Sequence, residues 1–271
     1  MGSKHFFTKV IPAIVIILVM AFALTGCDDA ENWDNIAVVQ HDDNNDFDSD
    51  GWSNDDDLDS GDWTDDDDLD SDSNAPSIER DYNWYFSQIG TGSLEGYNCG
   101  PAVSVMALKW YDENFNDTVA DARNALSGTG DCWIGHEIIS YLESHGVFGD
   151  LRAPLDQENA TWWLERDAIM LAGIYTGDIS FRNDDSAIGR YYTGSFDHWI
   201  IIKGLYSIDG VYHFEVYDPW AEAGDYYTDG TPKGLDRLYP AEEVIRANMT
   251  WADKWEDAGA KRDFIAVLPP Q

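Results

Sequence analysis

Asn98-Cys99-Gly100-Pro101-Ala102 runs into Val103-Ser104-Val105-Met106-Ala107-Leu108-Lys109-Trp110. Val103, Met106, Ala107 and Trp110 recur at helical spacing, which predicts a buried helix over residues 99–113. Pro101 suits its first turn, where a missing N–H costs nothing. Cys99 then stands at the helix N-terminus, where unpaired N–H groups and the macrodipole favour a thiolate. A thiolate is the nucleophilic form of cysteine. These residues alone leave two roles open, a nucleophile and a buried packing cysteine.

Upstream, Tyr82, Trp84, Tyr85 and Phe86 make an apolar segment that ends on Gln88, and residues 89–96 form a Gly-rich loop. Downstream, helices are expected over residues 118–126, 134–145 and 162–167, the second closed by Gly146. Residues 168–179 are apolar and β-like, and residues 182–195 read as a polar loop. Residues 198–206 and 211–217 read as two strands, with Asp209-Gly210 as the hairpin turn between them. A long loop after Pro219, a short strand at 237–239, a helix over 241–255 and a final strand at 264–268 complete the chain. Helices first and an antiparallel sheet after predict an α+β fold, with the Cys99 helix packed on the sheet.

The hairpin carries chemistry of its own. His198 begins its first strand and Asp218 follows its second. A two-residue loop would pair His198 with residue 221, and a four-residue loop would shorten the offset from Asp218 to about one residue. A bulge or the length of the side chains closes either gap. A carboxylate beside an imidazole fixes its tautomer and orientation. Asp197 is the weaker orienter, because strand neighbours point to opposite faces.

Gln88, Asn98-Cys99-Gly100-Pro101-Ala102, Asp197-His198-Trp199-Ile200-Ile201 and Val216-Tyr217-Asp218-Pro219-Trp220 together resemble papain-like cysteine peptidases. The branch they resemble is the bacteriocin-processing (double-glycine) peptidases and their secreted relatives, over residues 80–271. The resemblance implies a papain-like fold and hydrolysis of peptide bonds. It makes Cys99 the nucleophile, His198 the general base and acid, and Asp218 the orienter. Gln88 would donate its amide to the oxyanion hole beside the Cys99 N–H. One departure stands out: the gap from Gln88 to Cys99 is about twice that of the papain fold, so residues 90–96 must bulge outward. Ser87 and Asn98 are spare donors. Two other functions stay open, a catalytically silent binding module of the same fold and a cell-wall cysteine amidase.

Other candidates carry less. His136 and His145 face nearly opposite ways on one helix and make a poor zinc site with Cys132. His213 reads as a cross-strand surface residue. A Cys99–Cys132 disulfide is the structural alternative to a free nucleophile. The chain is read as a monomer that needs no cofactor.

The 271 residues carry a net charge of −36. Residues 28–76 hold 20 of the 52 acidic residues and no Lys or Arg, while residues 77–271 carry −18. Such a surface repels nucleic acid. Lys4, Lys9 and the apolar run over residues 10–24 read as an export signal, residues 1–26. It ends in Leu24-Thr25-Gly26-Cys27, which resembles the lipobox of bacterial lipoproteins and implies lipidation at Cys27. That resemblance places the folded part in the bacterial cell envelope, outside the cytoplasm and anchored to a membrane.

Residues 27–76 read as an acidic, disordered tether with too few apolar groups to fold alone. Within it, Asp46, Asp48, Asp50 and Asp57 resemble a calcium loop with Gly51 at its sharp turn. Asp57 stands where such loops carry Glu, and no flanking helices are evident, so a solvated acidic spacer is the favoured reading. The peptidase domain is expected over residues 77–271.

Overall fold

A computed structural model describes residues 77–126, 132–182, 186–222, 224–256 and 263–270. The expected signal, the lipid site at Cys27, the tether and the candidate calcium loop at Asp46, Asp48, Asp50 and Asp57 lie outside the described residues.

The architecture is α+β. Helix α1 (Cys99–Tyr111) is followed by α2 (Val119–Ala125), α3 (Gly135–Ser144), strand β1 (Asp150–Pro154) and α4 (Gln157–Leu164). Then come β2 (Ile169–Tyr175), β3 (Asp197–Ile208), β4 (Val211–Tyr217), β5 (Arg237–Pro240), α5 (Ala241–Lys254) and β6 (Asp263–Val267). The strands form one antiparallel sheet in the order β1-β6-β2-β3-β4-β5. Among the described residues, no helix is long and apolar enough to cross a membrane.

Helix α1 is apolar on nearly every side, because ten consecutive residues from Cys99 to Leu108, and then Trp110, are buried. That is the signature of a central core helix rather than a surface one. It packs against α2, α3 and β3. At its start Gly100 lies so close to Trp133 that an added Cβ would sit 2.6 Å from the Trp133 Cβ. Trp133 is fully buried and has no room to retreat. Gly100→Ala should therefore destabilise the protein by about 1–3 kcal/mol through overpacking, despite the better helix propensity of alanine. Thermal melting checks this; a rise in Tm would show that the contact yields.

Three elements differ from expectation. The helix expected at 162–167 is Gln157–Leu164, because the Asp156 side chain accepts from Asn159 N–H at 2.7 Å and caps it one turn earlier. The β-like run ends at Tyr175, where a 3₁₀ turn (Thr176–Asp178) takes over. The region expected as a polar loop is only partly so: Tyr191, Tyr192 and Phe196 are buried with Trp220 in a second small core.

Candidate active site

Asp209 and Gly210 adopt φ of 51° and 76°, the mirror-image turn that Asp-Gly encodes, and they close a two-residue hairpin. Near the turn Ile208 pairs with Val211, and the same register holds down to Gly204 opposite Glu215. Beyond it, Ile202 pairs with Val216 and Ile201 with Tyr217, so β3 holds one extra residue, Lys203. Continued outward, the shifted register sets Asp218 opposite Ile200. Ile200 lies two residues from His198 and on the same face.

The result is a 2.8 Å hydrogen bond between His198 Nε2 and Asp218 Oδ1. Asp218 is fully buried and accepts from three further donors. Tyr239 OH reaches Oδ2 at 2.6 Å, Tyr192 OH reaches Oδ2 at 3.0 Å, and the Trp220 N–H reaches Oδ1 at 2.9 Å. Phe196 meets the imidazole edge-on, with centroids 5.6 Å apart. The ring is thus held by bonding at one nitrogen and by aromatic walls.

Cys99, the first residue of α1, is a buried free thiol that lines one small cavity with His198 and lies near enough to affect its titration. With Nε2 taken by Asp218, Nδ1 is the nitrogen left for the sulfur. A Cys99–Cys132 disulfide is not formed. Burial alone would lower the His198 pKa, but Asp218, with a smaller contribution from Cys99, raises it to about 9. Burial would raise the Asp218 pKa, yet His198, Tyr239 and the Trp220 N–H hold it below the usual carboxylate value.

Gln88 is fully buried, so it is not a surface residue. Its own N–H donates to Pro219 O at 2.8 Å, directly after Asp218, and its Nε2 donates to Glu95 O at 2.8 Å. The loop that looked too long is folded back on itself. The Gly90 N–H donates to Glu95 Oε2, Asn98 Nδ2 donates to Thr91 Oγ1, and a 3₁₀ turn (Glu95–Tyr97) leads straight into Cys99. Arg123 of α2 donates to Asn98 Oδ1 at 2.7 Å and holds the residue before the cysteine. Ser87 and Asn98 are committed to these local bonds, Ser87 by donating to Pro219 O at 3.2 Å.

A cavity of about 10 Å³ opens beside Cys99 and His198, walled by Cys132, Trp133, Ile134, Asp197, Trp199, Trp251 and Trp255. Asp197 faces away from the His198–Asp218 bond: its Oδ2 accepts from Trp255 Nε1 at 2.9 Å and from Lys254 Nζ at 2.8 Å. His136 pairs with Glu137 and His145 with Asp117, in separate places. His213 is buried and bonds the Val211 carbonyl, a correction to its expected surface position. Tyr192 and Tyr239 escaped the sequence reading, because a tyrosine on a short strand or in a loop carries no mark of a buried partner.

No protein-family model and no curated protein matches the chain. Among solved structures it is similar to UfSP from C. elegans, with 15% identity and a TM-score of 0.46 over 74% of this chain and 35% of that one. The chain thus spans about a third of the length of that protein.

Proposed function

We propose that this chain is a papain-like cysteine peptidase, a lipid-anchored extracytoplasmic hydrolase acting on peptide or protein substrates. The observation that carries the catalytic part is the His198 ring, bonded to Asp218 at Nε2 and sharing one small cavity with the Cys99 thiol at the start of a buried helix. The order of Gln88, Cys99, His198 and Asp218 along the chain, and its resemblance to the bacteriocin-processing peptidases, supports the same reading. The lipobox ending at Cys27 supports the anchor.

In this reading Cys99 Sγ, as the thiolate, attacks the scissile carbonyl carbon and forms a C–S bond. The developing oxyanion is met by the Cys99 N–H and by the second amide hydrogen of Gln88, whose first is spent on Glu95 O. His198, an imidazolium at neutral pH by virtue of its raised pKa, gives its proton to the leaving amine as the C–N bond breaks. It then takes a proton from water, which attacks the thioester and releases the acid, restoring the thiolate. The cavity holds no more than about one water. Substrate therefore enters only when an aromatic wall residue such as Trp255 swings aside.

The deciding experiment is incubation with a peptidyl vinyl sulfone followed by peptide mass mapping. A single adduct on Cys99, lost in His198→Ala, supports the proposal. A folded protein that takes up no reagent would leave the silent binding module. Gln88→Ala should lower kcat by on the order of 10² if its amide feeds the oxyanion hole; unchanged kcat would confine Gln88 to holding its loop.

A further inference from the structure

Lys203 is fully buried, and among the described residues Glu79, Glu215 and Asp236 surround its ammonium at 2.6, 3.0 and 2.9 Å. Those three carboxylates are close enough together to hold a metal ion, but the lysine already supplies the cation. They come from three separate pieces of chain: the strap over residues 77–88, strand β4 and the turn before β5.

Each piece also touches Asp218 or its neighbour. The strap pairs with β3 at the bulge, Ile78 N–H donating to Lys203 O at 2.9 Å, and further along Tyr85 OH donates to Asp218 O at 2.8 Å. The turn before β5 supplies Gly234 O, which accepts from Asp218 N–H at 2.9 Å. Strand β4 leads directly into Asp218.

Lys203 is also the extra residue of β3. Were it paired with Val216 instead of bulged out, the near-turn register would run on, setting Asp218 opposite Ile201 and therefore on the face opposite to His198. The next residue, Gly204, permits the kink, because a Cβ there would lie 2.8 Å from Glu215 Oε2. Burying an ammonium at a bulge is costly unless it is paired. Its three partners hold the bulge at this one position.

We propose that Lys203 is a positioning residue for the active site: clamped at the bulge by Glu79, Glu215 and Asp236, it sets the strand register that brings Asp218 to the face of His198. The inference rests on the peptidase reading for its meaning in catalysis, but its geometry does not depend on turnover.

The test compares wild type, Lys203→Met and Lys203→Arg. The first readout is the His198 Nε2–H proton, observed by NMR as a slowly exchanging downfield signal when bonded to Asp218. The second is the rate of Cys99 labelling by iodoacetamide at pH 7. Lys203→Met should lose the NMR signal and label at least tenfold more slowly, and Lys203→Arg should recover part of both. A folded Lys203→Met with the wild-type signal and rate would overturn the proposal. If Lys203→Met does not fold, Glu79→Gln with Asp236→Asn loosens the clamp from its exposed side. That pair should broaden or shift the signal, and an unchanged signal would overturn the proposal equally. Should wild type show the signal but no reactive thiol, the peptidase reading fails while the positioning role of Lys203 is still decided by the signal.

Discussion

Cys99→Ala should give a folded protein with no acyl transfer, and His198→Ala should do the same. Removing a nucleophile or its base from a hydrolase triad lowers kcat by on the order of 10⁶. The two losses should not add, because sulfur and imidazole act as one unit. Cys99 is small and sits against Trp133 and His198, so the alanine leaves a minor void and the melting temperature should stay close to wild type. The measurement is single-turnover release from a peptide thioester, beside the melting curve. Residual turnover of Cys99→Ala within tenfold of wild type would place the chemistry elsewhere.

Asp218→Ala should act on both activity and stability. It strips the acceptor from His198, Tyr192, Tyr239 and the Trp220 N–H in a site closed to water. Breaking a buried, hydrogen-bonded charge pair typically costs about 3–5 kcal/mol. Activity should fall less than in Cys99→Ala, since a mis-oriented imidazole still takes a proton.

The pH profile should change as well. In the wild type the His198 pKa is raised, so its contribution to stability is full below about 6.5 and is lost as pH climbs through about 9. Asp218 is depressed, so its contribution is full above about 3.9 and is lost as pH falls through its folded value. Stability should therefore be greatest between these edges. In Asp218→Ala, burial acts on His198 against only the smaller contribution of Cys99 and depresses its pKa, so charging the ring now opposes folding. The variant should be less stable at pH 5 than at pH 8, the reverse of the wild-type contribution from His198. Urea midpoints at the two pH values check the sign; parallel profiles would show that Asp218 does not govern the histidine.

How much of this was legible depended on how local the physics is. The Cys99 helix announces itself by periodicity and by Pro101, and the hairpin by Asp209-Gly210, whose positive φ values the fold adopts. The nucleophile candidate and its two partners lie at the ends of those elements, so they could be named with no coordinates. Strand β1 went unread because Asp150-Leu151-Arg152-Ala153-Pro154 is short, ends on proline and has no β-branched or aromatic residue, and only its pairing with β6 makes it a strand.

The sequence by itself determined the elements that carry Cys99, His198 and Asp218, and their order, because helix starts and tight turns are set by neighbours a few residues apart. Tertiary structure alone decided whether those groups meet. The face on which Asp218 emerges depends on one residue of β3 being bulged out rather than paired, which local pattern does not show. The Tyr192 and Tyr239 hydroxyls meet Asp218 across sequence separations of 26 and 21 residues, only once the chain between has folded. The loop from Gln88 to Cys99 looked too long for its task until Glu95 and Asn98 turned back to bond Gln88 and Thr91. In each case the deciding contact joins groups whose proximity is a property of the packed chain, and desolvation makes that contact strong only once the packing is complete.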